Sequence, residues 1–155
     1  MKRLYRQQHL VDFMAVVMQF TRIKIKWSFF SDEAPDLKRA CWAFPLAGWL
    51  LGLIAGGLGQ ILILMDLPII LGCAIAIAFC IYLSGAYHED GLADMADGFG
   101  AGGDGRRISN IIHDSRLGTY GVSALSLAII VRVLLVSSFC LLYTSDAADE
   151  KRWGG

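Results

Sequence analysis

Three long stretches of this chain carry almost no charge, and they limit its fold more than any other feature. Ala40 to Met65 has no charged residue, Leu67 to Tyr87 has none, and Leu117 to Leu142 has one, Arg132. At a rise of 1.5 Å per residue, roughly 20 apolar residues cross the bilayer's hydrocarbon core of about 30 Å. Only helices and closed barrels can satisfy every backbone polar group inside lipid. Runs of this length without period-2 alternation therefore predict an all-α, polytopic membrane helix bundle with about three transmembrane helices. Composition agrees: 55% of residues are hydrophobic, 18% are charged and the mean hydropathy is +0.52. Formal net charge is zero, so there is no electrostatic footprint for nucleic acid.

The segments around the spans set the topology. Residues 8 to 22 place Leu10, Phe13, Met14, Val17 and Phe20 near one helical stripe, with Gln19 and Arg22 at the far end. This stretch is short for a span and reads as an N-terminal interfacial helix. Arg22 either anchors at lipid headgroups or faces a ligand. Residues 23 to 39 read as an interfacial loop, then a short helix start near Pro35. Gly48, Gly52 and Gly56, four residues apart, predict a smooth face for close helix contact. The four cysteines lack metal spacing and read as buried free thiols. The basic N-terminal residues lack an apolar h-region and cleavage site, so no cleavable signal peptide is expected. Lys and Arg concentrate before Ala40 and at Arg106, Arg107 and Arg116, and the short turn after the first span has none. Both basic regions are expected in the cytoplasm.

Between the second and third spans lies an acidic stretch, Gly85 to Gly121, holding Glu89, Asp90, Asp94, Asp97, Asp104 and Asp114. If Tyr82 to Phe99 is one helix, Asp90, Asp94 and Asp97 fall on one face at i, i+4 and i+7. The carboxylates would then sit at the membrane end of a continuing helix. Like charges so spaced destabilise a bare helix, and a bound divalent cation reverses that sign. Oxygen ligands without cysteine favour Mg²⁺, Mn²⁺ or Ca²⁺. The alternative is a solvated acidic loop between two hydrophobic helices. Gly100 to Gly105 (GAGGDG) should break the helix. Arg132, in the middle of the third run, either pairs with an acid, reaches a phosphate or snorkels to the interface.

Several of these segments resemble one known family. HEDGLADMADG (His88–Gly98) followed by DSRLGTYG (Asp114–Gly121) is similar to the cobalamin synthases, the adenosylcobinamide-GDP ribazoletransferases. Met18–Arg22 and Phe44–Gly48 resemble two further family segments in the expected order, with one apolar residue missing between Phe20 and Thr21. The resemblance covers residues 10 to 142. It implies transfer of a cobinamide phosphoryl group from adenosylcobinamide-GDP to α-ribazole or its 5′-phosphate, with release of GMP, in the prokaryotic inner membrane. It further implies Mg²⁺ held by Asp90, Asp94 and Asp97, with Glu89 a weaker ligand and Asp114 either a ligand or an orienting partner of Arg116. Asp97 or His88 would accept the hydroxyl proton, although His88 is equally well read as a hydrogen-bonded interfacial residue. Arg116, then Arg106 and Arg107, would grip phosphate oxygens. Ser115 and Thr119 would donate to phosphate or cap a helix, and Gln19 and Arg22 would face the substrate. His113 is read as structural. The implied partners are the two substrates and the lipid bilayer, with a homo-oligomer left open.

Other classes remain in view. A CDP-alcohol phosphotransferase would want an Arg after Asp90-Gly91-Leu92-Ala93, where Asp94 stands. A cation transporter, or a fragment of one, would carry its acids near mid-bilayer in broken helices. A non-catalytic scaffold would need no acid triplet. Tyr143 to Gly155 changes abruptly to small, polar and charged residues. It reads as foreign or read-through sequence after a truncated family domain (1–142), expected to be disordered, or else as a short tail.

Overall fold

The computed structural model describes residues 2–24, 35–114 and 116–153, with side chains described from 8 to 142 within those limits. Every regular element among the described residues is helical: α1 (Lys2–Phe20), a 3-10 turn (Arg39–Ala43), α2 (Phe44–Leu64), α3 (Ile69–Ser84), α4 (Tyr87–Ala101), α5 (Gly105–Ile112) and α6 (Thr119–Trp153). Two helices are long and apolar enough to cross a membrane, Arg39–Leu64 and Thr119–Leu142, and a third span exists if α3 and α4 count as one bent pair. The all-α membrane bundle inferred from the uncharged runs is the fold observed.

α1 packs on the entry to α2. Val16 and Val17 meet Ala40, Ala43 and Ala47 in a buried cluster, with Phe13 and Phe20 against it. A fork of hydrogen bonds closes the contact: Arg39 Nη2 donates to Asp12 Oδ1 at 2.8 Å, and Nε lies 3.2 Å from both Asp12 oxygens. Asp12 is only 2% exposed, so Arg39 is what makes its burial tolerable. The short helix start expected near Pro35 falls partly outside the described residues; a turn at Leu37–Lys38 leads into the 3-10 segment.

The glycines that bring α2 and α3 together are not those expected. A Cβ on Gly48, Gly52 or Gly56 would meet nothing within 4 Å among the described residues. On Gly59 it would lie 2.9 Å from Ala76 Cβ, and on Gly72 2.7 Å from Ile63 Cγ1. Close approach therefore occurs one turn past the glycine stripe. The register is set by the tight Asp66 turn that folds α3 back on α2 (Asp66 φ 65°).

The reading of Tyr82 to Phe99 as one helix is overturned. Gly85 and Ala86 are consecutive left-handed residues (φ 70° and 60°), and α3 and α4 diverge by 89°. Gly85 caps α3, its N–H donating to the Tyr82 carbonyl at 3.2 Å. The 16 residues of α3 reach about 24 Å, shorter than the bilayer core, because the chain turns before completing the span. The acids consequently sit on a separate helix that crosses the end of α3 and packs on the start of α6.

α4 ends where GAGGDG was expected to break it, and Asp104 then caps α5 by accepting the Arg107 backbone N–H at 2.9 Å. α6 does not stop at Leu142; its helix continues through Trp153, where a disordered tail was expected. Cys41 is exposed rather than buried, while Cys73 is buried with its Sγ 3.8 Å from that of Cys140.

Candidate active site

The first half of the acid face lines one cavity. Glu89, Asp90, Ala93 and Asp94 of α4 face Ile112, His113, Asp114, Arg116, Leu117 and Leu125 across a space of about 400 Å³. Asp90 is exposed and Asp94 half-buried, one helical turn apart on the same face. Opposite them, Asp114 and Arg116 form a fork: Arg116 Nη2 lies 2.6 Å from Asp114 Oδ2, and Nε 3.0–3.1 Å from both oxygens. The hydrogen-bonded Arg116 guanidinium holds the Asp114 carboxyl below its ordinary value of 3.8. Arg116 is nevertheless 88% exposed at its side chain, so its remaining N–H groups are open to an anion.

Asp97 belongs to a different arrangement. Its carboxylate is buried and accepts two backbone N–H groups, Gly118 at 2.7 Å on Oδ2 and Gly121 at 2.8 Å on Oδ1. These amides are at the N-terminus of α6, where the helix dipole also favours a negative charge. A Cβ on Gly118 or Gly121 would collide with that carboxylate, and on Gly121 it would also lie 3.0 Å from the Ala93 carbonyl. The glycines permit the approach, and Asp97 fixes it. Together with Asp114, Arg116, Gly118 and Thr119, Asp97 lines an adjoining cavity of about 300 Å³.

Glu89 is likewise engaged. It is 6% exposed, and its Oε1 lies 2.5 Å from Arg132 Nη1. Of the three fates open to the mid-span arginine, pairing with an acid is the one found. This pair and the Asp97 clamp were not read from the sequence. The signal for the pair was the lone charge of the third uncharged run, Arg132, opposite a helix carrying four acids.

The five acids do not form a single metal cluster. Among the described residues, no group of three His, Cys, Asp or Glu side chains is placed to hold a metal ion. The reason is that Glu89 turns to Arg132, Asp97 to the α6 amides and Asp114 to Arg116. What remains is a two-carboxylate set, Asp90 and Asp94. That set fits magnesium, which keeps several waters and takes one or two carboxylates together with substrate phosphates.

The remaining candidates are scattered. His88 is on the opposite side of α4, stacked on Phe20 with ring centroids 6.1 Å apart. Arg22 is at the α3–α4 elbow, its backbone N–H donating to the Leu83 carbonyl at 2.8 Å and its guanidinium over the Tyr82 ring at 5.1 Å. Gln19 is exposed on α1, and Arg106 and Arg107 are exposed on α5. Thr119 opens α6, and its carbonyl accepts the Ser123 hydroxyl at 2.8 Å. Ser115 lies outside the described residues. His113 Nδ1 sits 2.7 Å from the Ser109 carbonyl, and the residue lines the acid cavity.

Comparison with known proteins identifies the family. The family model described as Cobalamin-5-phosphate synthase matches residues 12–148. The adenosylcobinamide-GDP ribazoletransferase of Azorhizobium caulinodans is 38% identical over 141 residues, covering 90% of this chain and 53% of the relative. That of Bradyrhizobium diazoefficiens is 45% identical over 125 residues (79% and 44%), and that of Shewanella amazonensis 39% identical over 143 (92% and 54%). The chain thus spans about half the length of the curated relatives it matches. No solved structure gives a significant match. The cavity-lining acids and the Asp97 clamp lie within the matched residues, and the chain belongs to the cobalamin-5-phosphate synthase family.

Proposed function

We propose that the chain carries the phosphoryl-transfer site of an adenosylcobinamide-GDP ribazoletransferase. In this reaction the ribose hydroxyl of α-ribazole, or of its 5′-phosphate, attacks the cobinamide-side phosphorus of adenosylcobinamide-GDP. The new O–P bond forms as the bond to the GMP oxygen breaks. GMP leaves, the hydroxyl proton passes to a base, and adenosylcobalamin or its 5′-phosphate is the product.

The observation that carries this reading is the shared cavity of Asp90, Asp94 and the Asp114–Arg116 fork, within the matched part of the family. A diphosphate needs charge neutralisation and in-line positioning more than covalent help. Asp90 and Asp94 would hold Mg²⁺, which when bound neutralises the diphosphate and the leaving GMP. Arg116, through the N–H groups not spent on Asp114, grips phosphate oxygens. Asp97, both oxygens of which accept backbone N–H, positions α6 against α4 and is released from the ligand and base roles. His88 does not line this cavity; it stacks on Phe20 on the other side of α4. The basic residues before Ala40 and around the acidic stretch support a cytoplasmic position for the cavity at the inner membrane.

The test is GMP release from adenosylcobinamide-GDP by the chain in lipid nanodiscs, with α-ribazole and Mg²⁺ supplied. Release is expected to need both Mg²⁺ and Asp94. Undiminished release by Asp94→Asn, or release that ignores Mg²⁺, would overturn the reading.

A further inference from the structure

The elbow between α3 and α4 contains more left-handed backbone than its own hydrogen bonds explain. Gly85 closes α3, its N–H donating to the Tyr82 carbonyl, while the Ala86 N–H donates to the Ile81 carbonyl at 2.9 Å. Ala86 is then left-handed as well (φ 60°), a conformation that its Cβ disfavours. Such a residue persists where its surroundings over-determine it. Here the end of α1 supplies those surroundings. We propose that Phe20 and Arg22 are positioning residues, a brace that holds the elbow and so turns Asp90 and Asp94 toward the acid cavity; this rests on the metal-binding role proposed above for those two carboxylates.

Three contacts make the brace. The Arg22 backbone N–H donates to the Leu83 carbonyl at 2.8 Å. That carbonyl is in the last turn of α3, where the break removes its helical partner. The Arg22 guanidinium lies over the Tyr82 ring at 5.1 Å, and its side chain runs along Gly85, where a Cβ would stand 3.5 Å from Arg22 Cγ. Phe20 meets the first turn of α4, edge-on to Tyr87 at 5.6 Å and stacked on His88 at 6.1 Å. Both arms of the elbow are therefore gripped, α3 through Tyr82 and Leu83, and α4 through Tyr87 and His88. The Glu89–Arg132 pair and the Asp97 clamp anchor α4 to α6 rather than to α3. Ala86 and Asp90 both line the acid cavity, and the Asp90 N–H donates to the Ala86 carbonyl at 2.8 Å, so a shift at the elbow reaches the carboxylates directly.

The experiment compares wild type, Phe20→Ala, Arg22→Ala and each of these combined with Ala86→Gly, in nanodiscs. Two quantities are measured: Mn²⁺ affinity with GDP present, and metal-free hydrogen exchange of residues 87–90, the first turn of α4. Each brace variant should weaken Mn²⁺ binding about fivefold or more and lower protection of that turn. Ala86→Gly removes the steric cost of the left-handed conformation and should recover most of both losses. It cannot replace packing lost around α1, so a Phe20 that merely fills space would leave both losses unrepaired. Circular dichroism identifies a Phe20→Ala variant that has not folded, and Arg22→Ala, at an exposed position, then carries the test. Wild type that binds no Mn²⁺ counts against the metal-binding role, and hydrogen exchange then judges the brace by itself. Unchanged protection of residues 87–90 in the folded variants overturns the brace. So does Mn²⁺ affinity that matches a wild type able to bind, or a loss that Ala86→Gly leaves in place.

Discussion

The carboxylate of Asp97 holds the backbone N–H of Gly121 at 2.8 Å, across 24 residues of sequence. With the second bond to Gly118, it clips the start of α6 to α4. Three positions that resemble catalytic fingerprint residues therefore form one mechanical joint. Replacing Asp97 by Ala removes a charged acceptor from one buried and one part-buried amide and should cost about 2–4 kcal/mol. Gly121→Ala should cost a similar amount by steric conflict with that carboxylate. The two losses should be sub-additive in the double variant, because Asp97→Ala removes the carboxylate that the new methyl at position 121 would strike. Thermal unfolding in detergent measures all three.

The Glu89–Arg132 pair should behave as a unit. Arg132→Met leaves a carboxylate that is 6% exposed without its partner. We expect a loss of about 1–3 kcal/mol, below the range for a fully buried pair because Arg132 itself is partly open. Adding Glu89→Gln should restore most of the loss. Denaturant unfolding of the single and double variants decides it.

Acid should loosen α1 before the rest of the bundle. Hydrogen bonds from Arg39 depress the Asp12 carboxyl below its ordinary 3.8. A depressed folded value means the contribution is present above about pH 4 and is lost as pH falls through the folded value. Protection of the α1 amides, measured against their intrinsic exchange rates, should fall as pH drops below about 4 in wild type. Asp12→Asn should show that lower protection already at pH 7.

The glycines should separate into two classes. Gly59→Ala places a methyl 2.9 Å from Ala76 Cβ and should cost about 1–3 kcal/mol. Gly52→Ala meets open space and should be neutral, or stabilising by up to about 1 kcal/mol through helix propensity. Melting temperatures compared side by side test the contrast.

Much of this architecture was legible in the residues, and the exceptions have physical causes. Uncharged runs at Ala40–Met65 and Leu117–Leu142 announce spanning helices because lipid tolerates little else. Asp90 and Asp94 share a helix face by periodicity alone, and GAGGDG stops a helix wherever it occurs. The elbow at Gly85–Ala86 was hidden because alanine carries no signal for a left-handed conformation; the surrounding packing imposes it. The glycine stripe at 48, 52 and 56 misled because spacing shows which residues share a face, not which face finds a neighbour. The Asp97 clamp was hidden because its partners are backbone N–H groups, which no side-chain pattern reveals.

Mn²⁺ titration by electron paramagnetic resonance separates the roles of the α4 acids. The chain would be measured in nanodiscs with GDP present, as wild type, Asp94→Asn and Asp97→Asn. Asp94→Asn should weaken Mn²⁺ binding by about tenfold or more with little change in melting temperature. Asp97→Asn should keep the Mn²⁺ affinity and lose thermal stability even without metal. The reverse pattern, with metal binding lost at Asp97 and retained at Asp94, would contradict this division of roles.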